Sequence, residues 1–305
     1  MSVITPQRVS AFFLGLQTKF NQAFKDTKLR YDAITTQTDS ATESEIQAWM
    51  ARQMKMRPWV GERILNDVAA RAQQLDNKPY EASFKVPRAK IADDKLGIFS
   101  PLMEELARAA KHWPDRLVWD ALKAGENATG YDGQGFFDTD HPVNMDDPAS
   151  GVQANKFTSK ALTTDNLAEV ISTMGSWKGE DGQELEVEPN LLVVGPDLRN
   201  QARRILNAEI IATTAGNAAE SNVMKGDMDL LVVPRLASIP GVWFPMDTTR
   251  PIKPMLFQLR EAPTFDYLMK SDDPNVFMKD EYIAGVKARG AAGYGPWWLA
   301  AKCTP

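Results

Sequence analysis

The sequence at residues 130–142 reads Gly-Tyr-Asp-Gly-Gln-Gly-Phe-Phe-Asp-Thr-Asp-His-Pro. Carboxylate oxygens and an imidazole nitrogen can bind a hydrolytic metal ion, so the stretch offers four candidate ligands: Asp132, Asp138, Asp140 and His141. Their spacing matches neither the HExxH pair nor the EF-hand loop. Aspartates among glycines also bond to nearby backbone N–H groups in ordinary loops. The stretch therefore predicts either a metal site or a tightly folded structural loop.

The bulk composition is that of a globular protein with a substantial core. The chain has 305 residues, of which 43% are hydrophobic and 25% charged, which suggests about two domains. Its single cysteine, Cys303, excludes an intrachain disulfide and a cysteine-based zinc site. No apolar run approaches the roughly 18 residues that a membrane span needs. The start at residues 1–6 lacks the pattern of a secretory signal. We therefore expect a cytoplasmic origin and no membrane partner.

Charge is distributed unevenly along the chain, whose formal net charge is −5. Residues 1–30 hold five basic side chains and one acidic, and residues 51–95 hold ten basic and six acidic. Residues 96–305 hold 20 basic and 29 acidic side chains. Such an acidic body argues against a dedicated nucleic-acid-binding protein, which usually has a basic face. The basic front end is predicted to meet acidic surfaces on neighbouring proteins.

A helix is predicted to begin at Thr5 and Pro6, with threonine as N-cap and proline at the first helical position. Its apolar residues recur at helical spacing: Val9, Phe12, Phe13, Leu16, Phe20 and Phe24. A polar break follows at 35–45. The apolar stripe has two interpretations, packing on the chain's own core or an arm that packs on another subunit. We adopt the second, in which the front third completes its burial only against sister molecules.

Residues 58–92 contain two runs with strand character, 63–68 and 80–86, on either side of a polar middle. The second run alternates apolar and polar residues, which is the pattern of a strand. We predict a long β-hairpin, although residues 69–74 are equally compatible with a helix. A two-stranded ribbon is only marginally stable alone, so this one should lie on another domain or another chain.

The rest of the chain predicts a mixture of helices and strands, which is the α+β class. A long helix should begin at Ser100-Pro101 and kink or split at Pro114. Its predicted buried stripe is Leu102, Leu106, Ala109, Trp113, Leu117 and Ala121. A second helix should be capped by Thr164 or Asp165 and a third should run to Ile210. Strands are predicted at 191–194, 229–233, 241–244, 255–260, 264–269, 276–286 and 297–300.

The sequence gives little support for other kinds of catalytic or ligand-binding site. Cys303 lies two residues from the end, and His112 and His141 are the only histidines, so few nucleophile–base pairs exist. The glycines at 133 and 135 follow no predicted strand and so do not form a phosphate-binding loop. The aromatic turn at 293–298 could be a carbohydrate or nucleobase platform, but core or interface aromatics are more common.

Four segments in this order resemble the major head subunits of Mu-like transposable phages. They are Asn-Lys-Pro-Tyr-Glu at 77–81, Ile-Ala-Asp-Asp-Lys-Leu-Gly-Ile-Phe-Ser-Pro at 91–101, Tyr131 to Asp138 with His141-Pro142, and Leu-Leu-Val-Val-Gly-Pro at 191–196. The resemblance implies an HK97-type capsid fold. From this resemblance we expect an N-terminal arm at 1–57, an extended β-hairpin loop at 58–92 and the first part of a peripheral domain, with a long spine helix, at 93–154. An axial α/β domain should occupy 155–250, and strands returning to the peripheral domain should occupy 251–305.

The same resemblance implies a structural function. Pentamers and hexamers of the chain would form an icosahedral head around double-stranded DNA, assembled in the host bacterial cytoplasm and retained in the virion. The expected partners are other copies of the chain, a separate scaffold protein, a portal, a decoration protein, and packaged DNA held by weak non-specific contacts. No catalytic residue, metal site or cofactor is expected. Two alternatives remain: a metal-dependent hydrolase at Asp132, Asp138, Asp140 and His141, and an encapsulin-like cargo shell.

Overall fold

The structure is a computed structural model that describes residues 6–42, 44–50, 70–88, 90, 99–212, 219–270 and 272–305. Its helices are α1 (Pro6–Asp26), α2 (Phe99–Lys111), α3 (Trp113–Lys123), α4 (Thr164–Gly175), α5 (Arg199–Asn207) and α6 (Pro274–Lys279). Short 3-10 turns lie at Tyr31–Ala33, Pro148–Ser150, Pro234–Ser238 and Trp297–Leu299. No helix within these ranges is long and apolar enough to cross a membrane.

Within the described residues, the strands form two main sheets and three two-stranded pairs. They are β1 (Thr35–Asp39), β2 (Ser44–Met50), β3 (Ala70–Asp76), β4 (Lys78–Pro87), β5 (His141–Pro142), β6 (Val152–Gln153), β7 (Lys156–Phe157), β8 (Leu191–Val194), β9 (Ile210–Ala212), β10 (Ala219–Ser221), β11 (Asp229–Val232), β12 (Trp243–Met246), β13 (Met255–Leu268), β14 (Glu281–Tyr294) and β15 (Lys302–Cys303).

One main sheet has four strands in the order β1-β13-β14-β4. It is built on the long antiparallel hairpin of β13 and β14. Strand β4 runs antiparallel to β14 from the pair Lys78–Gly290 to the pair Pro87–Glu281. Strand β1 is parallel to β13. The register between β13 and β14 shifts around Glu261, where the hairpin bends.

The second sheet has five short strands in the order β11-β8-β12-β15-β7. Strand β8 lies between β11 and β12, and its four residues Leu191–Val194 are all buried. A continuous apolar run of this kind is expected for a strand covered on both faces. Helices α4 and α5 contribute buried side chains such as Leu167 and Ile205 to the same core.

Helices α2 and α3 are consecutive in the chain and pack in different apolar cores, α2 in the core with α1 and α3 in the core with the five-stranded sheet. As predicted, the long helix splits near Pro114, because α2 ends at Lys111 and α3 begins at Trp113. The buried carboxylate of Asp115, in the first turn of α3, accepts the backbone N–H groups of Arg30 (3.1 Å) and Tyr31 (2.7 Å). This contact fixes the chain that leaves α1 against the start of α3.

The first prediction that the structure overturns concerns α1. The helix forms as expected, but its apolar face is covered within its own chain: Phe13 is fully buried and Leu16 is 2% exposed. Phe13 stacks on Tyr267 with ring centroids 5.1 Å apart, and Phe20 stacks on Phe265 at 5.4 Å. For residues 6–26 the hypothesis of burial only against sister molecules is therefore wrong. The chain's own α2, β13 and β14 supply the missing apolar surface, which the sequence could not show.

The predicted hairpin at 58–92 can be compared with the structure only in its second half. Residues 78–87 do form a strand, β4, and it pairs with β14, more than 190 residues later. The ribbon is instead made by β2 and β3, in register from Ser44–Asp76 to Met50–Ala70. The uncertain stretch after residue 69 is thus a strand from Ala70 onwards. The segment 63–68 lies outside the described residues.

Several smaller predictions differ from the structure, either by a few residues in position or in the type of element. The buried side of the long helix is formed by Met103, Ala107, Val118 and Leu122, whereas Leu102 is 45% exposed. Thr163, not Thr164 or Asp165, caps α4 by accepting the N–H of Asn166. Helix α5 ends at Asn207, and Ile210 begins β9. Residues 276–279 belong to α6, residues 297–299 form a 3-10 turn, and 255–268 is one strand.

The burial of α1 makes a stability prediction that two adjacent residues can test. Replacing Phe13 by Ala should destabilise the protein by about 3–5 kcal/mol, because it empties a filled aromatic site. Replacing its neighbour Leu14, which is 61% exposed, should change stability by less than about 0.5 kcal/mol. Urea unfolding followed by circular dichroism measures both. Equal, small effects would show that α1 is not packed on the body.

Candidate functional site: the histidine loop and the exposed surfaces

The loop at 130–142 folds around its own aspartates and glycines. Asp132 Oδ1 accepts the N–H of Gln134 at 3.2 Å, and Asp138 Oδ2 accepts the N–H of Gly135 at 3.2 Å. Gly133 has a φ of +84°, a left-handed conformation that favours glycine. A Cβ on Gly135 would lie 2.8 Å from the carbonyl oxygen of Glu126, so only glycine fits there. The glycines and aspartates together form a compact turn.

His141 is fully buried at the end of this loop. Its Nδ1 lies 2.6 Å from Asp132 Oδ2, and its Nε2 lies 3.1 Å from Asn155 Oδ1. The imidazole ring stacks on Trp297 with centroids 4.1 Å apart and planes 6° apart. We refer to these four residues, His141, Asp132, Asn155 and Trp297, as the histidine junction.

The bonds of Asn155 determine which atoms of the junction carry hydrogen. Its amide nitrogen donates to the carbonyl oxygens of Phe136 (2.8 Å), Trp297 (3.1 Å) and Ala300 (3.1 Å), so its Oδ1 is the atom that faces His141. Both ring nitrogens of His141 therefore face oxygen acceptors, and both bonds form when both nitrogens carry hydrogen. The Asp132 carboxylate that faces Nδ1 is itself buried, with its side chain 3% exposed.

This arrangement is a structural one. Both ring nitrogens of His141 already have protein hydrogen-bond partners, so neither is available to a metal ion. The Asp138 carboxylate accepts the N–H groups of Gly135 and Thr139. Asp140 is exposed on the surface. Within the described part of the chain, no three His, Cys, Asp or Glu side chains are grouped as metal ligands. The sequence identified Asp132 and His141 but missed Asn155 and Trp297, since neither lies in a recognisable pattern with them.

A second charged cluster lies beside the junction. Glu126 binds Lys302 at 2.7 Å and Lys156 at 3.1 Å, and so connects the end of α3 to β15 and β7. Partial burial alone would raise the pKa of Glu126, but the two lysines hold that pKa below its usual value. Asp138 behaves similarly. Burial alone would raise its pKa, but the N–H groups of Thr139 and Gly135, which donate to its carboxylate, hold that pKa below its usual value.

Several of the large apolar side chains that the described surface exposes fall into two groups. At the end of the β13–β14 hairpin, Phe277 is 81% and Met278 is 74% exposed, and Leu268 nearby on β13 is 48% exposed. Around the pair β9–β10, Ile210 is 64% and Val223 is 84% exposed. Large exposed apolar groups clustered at the ends of a molecule are typical of surfaces that contact other proteins.

The fold and these surfaces define a class, an α+β subunit that contacts other proteins, and the comparison with known families identifies which. Residues 9–161, 156–236 and 238–304 match the family model described as Mu-like prophage major head subunit gpT. The chain belongs to this family, and its fold is of the HK97 type.

Named relatives agree with this assignment. The chain is 29% identical to the Mu-like prophage FluMu major head subunit of Haemophilus influenzae and 26% identical to the major capsid protein of Escherichia phage Mu. Each alignment covers 98% of this chain and 74% of the relative. The procapsid of bacteriophage JBD30 is 30% identical, with a TM-score of 0.62, and the match covers 99% of this chain and 76% of the other.

The family confirms the predicted structural function. The protein is a major capsid protein of a Mu-like phage, a component of the virion, and not an enzyme. The metal-dependent hydrolase and the cargo shell are therefore not the functions that these findings support.

The histidine junction should be needed for stability and not for chemistry. Replacing His141 by Phe keeps an aromatic ring against Trp297 but leaves the Asp132 carboxylate buried without its partner. We expect a loss of about 3–5 kcal/mol, as for other broken buried pairs. The control is Asp140→Asn, which changes an exposed former candidate ligand and should alter stability by less than about 0.5 kcal/mol. Chemical unfolding measures both, and a larger effect from Asp140 would contradict this account.

The lowered pKa of Glu126 predicts a pH-dependent contribution. A carboxylate whose pKa is lower in the folded state stabilises the fold above its unfolded pKa of about 4.3 and loses that contribution as pH falls through the folded pKa. Glu126→Gln should therefore be less stable than wild type at pH 7, by on the order of 1 kcal/mol. The difference should shrink towards zero near pH 3. The matched control is Glu105→Gln, whose side chain is 72% exposed and which should behave like wild type at both pH values.

Proposed function

We propose that this chain assembles as pentamers and hexamers into a closed icosahedral head around double-stranded DNA. Assembly would take place in the cytoplasm of the bacterial host. Membership in the major head subunit family supports assembly into a shell. The exposed surfaces of the single chain indicate which residues its copies use to contact one another.

The observation that carries this proposal is the exposed pair Phe277 and Met278 on α6. An isolated chain leaves 81% and 74% of these residues in water, next to the buried Val276 that anchors the helix. Covering one large apolar side chain contributes about 1.5–3 kcal/mol. A contact of this size is weak alone. In a closed shell each subunit makes several contacts at once, so their effects combine.

We also propose a division of the chain into functional parts. The four-stranded sheet with α2 and α3 would form the peripheral domain, and the segment 155–250 around the five-stranded sheet would form the axial domain. The ribbon of β2 and β3 would be part of the extended loop, at residues earlier than the sequence suggested. The segment 251–305 would serve both domains, because β13 and β14 lie in the first sheet and β15 lies in the second.

The other expected partners fit the same proposal. One solved relative is a procapsid, and we propose that this chain too forms a precursor shell, with a separate scaffold protein, a portal and a decoration protein. Packaged DNA would meet a subunit whose residues 96–305 are acidic overall, so the contact would be weak and non-specific.

Replacing Phe277 and Met278 together by Ser tests the proposal. We expect the double variant to fold with an unchanged circular dichroism spectrum and melting temperature, because both side chains are exposed. Its yield of closed shells, measured by sedimentation and negative-stain electron microscopy, should fall by at least about tenfold, since about 1.4 kcal/mol per contact already gives that factor.

The matched control is Lys279→Ser, an exposed position on the same helix, which should assemble like wild type. Normal shells from the double variant would show that α6 is not an assembly contact. A wild-type protein that stayed monomeric under all assembly conditions, with a scaffold supplied, would refute the shell itself.

A further inference from the structure

The segment before β8 presents a row of carboxylates. Between residues 184 and 188 the side chains alternate: Glu184, Glu186 and Glu188 are exposed, whereas Leu185 and Val187 are 4% and 2% exposed. The buried pair holds the segment on the core, and the alternation directs the three glutamates outward. Residues two apart can be separated by no more than about 7 Å along the chain. We call Glu184, Glu186 and Glu188 the acidic row.

Helix α5, which follows β8, presents the opposite charge. Its nine residues include Arg199, Arg203 and Arg204 and no acidic residue, and all three arginines are exposed. Arg199 and Arg203 are four apart on the helix, so their Cβ atoms lie about 5–6 Å from each other. The helix is fixed by its other side, where Ala202 and Leu206 are buried. We call the three arginines the basic row.

Two glutamates of the acidic row and two arginines of the basic row are left for contacts outside the chain. In the ranges that the structure describes, none of Glu186, Glu188, Arg199 and Arg203 has an ion-pair partner. Arg250 lies against the acidic row, but its guanidinium donates to the carbonyl oxygens of Leu185 and Glu186 and is paired with Asp247. Each subunit therefore carries both halves of a charge contact on its surface.

We propose that the acidic row of one subunit contacts the basic row of the next subunit in the same ring. This proposal rests on the proposed function, since it requires copies arranged around an axis. A contact between two different patches of the same chain is head-to-tail and closes into a ring when the rotation permits. Complementary charge is well suited to fix the direction and register of such a contact. Glu186 and Glu188, at most about 7 Å apart along the chain, can face Arg199 and Arg203, whose Cβ atoms are about 5–6 Å apart.

A charge exchange tests the proposal directly. The variants are Arg199→Glu with Arg203→Glu, Glu186→Arg with Glu188→Arg, and all four changes together. Each pair of changes alone should lower the yield of closed shells at least about tenfold, because like charges then face each other. The fourfold variant should recover to within about twofold of wild type, because opposite charges face each other again. The control Arg199→Lys with Arg203→Lys keeps the charge and should assemble normally.

Two other outcomes would overturn the proposal. If the fourfold variant assembles no better than the separate pairs, the rows do not meet. If the arginine reversal leaves shells intact but weakens binding of the soluble subunit to duplex DNA in a fluorescence anisotropy titration, α5 faces nucleic acid instead. Both results differ from failure of the proposed function, in which the wild-type chain and the lysine control form no shells at all.

Discussion

The buried hydrogen bond between His141 and Asp132 is the contact on which the rest of the fold depends. Burying polar and charged side chains is costly, and the cost is offset only when geometry and further hydrogen bonds are good. Here Asn155 completes the set, and its amide also bonds to Phe136, Trp297 and Ala300. Trp297 follows the last strand of the four-stranded sheet, and Ala300 precedes β15 of the five-stranded sheet. The junction therefore fixes the point where the chain passes from one sheet to the other.

Two apolar cores are arranged around this connection. One surrounds the five-stranded sheet and includes Phe136 and Phe137, which the loop of the junction carries inward. The other is formed by α1, α2 and the far end of the β13–β14 hairpin. Because α1 completes the second core within its own chain, it is not free to supply that apolar face to a neighbour. The exposed residues of α6 and the charged rows beside β8 lie outside both cores, and they are the contacts between subunits that we propose.

This division suits a protein whose work is mechanical. A shell needs subunits that are rigid inside and that adhere through many modest contacts, since a closed assembly adds those contacts together. Glu126 with its two lysines and the histidine junction stabilise the interior with polar groups in place of a larger core. Exposed apolar groups and unpaired charge remain on the surface. The surface contacts can thus change in variants without unfolding the subunit.

The sequence by itself determined the helices and strands whose patterns are local. The start of α1 at Pro6, the split at Pro114, the buried strand β8 and the α+β class all follow from residues close together in the chain, and the ordered segments at 77–81, 91–101, 131–142 and 191–196 pointed to the family. Only the tertiary structure decided which surfaces meet. The pairing of β4 with β14, the cover over α1 and the meeting of His141 with Asn155 and Trp297 join residues far apart in sequence. Such pairings depend on which distant apolar surface is available to bury a face, and no local pattern encodes that.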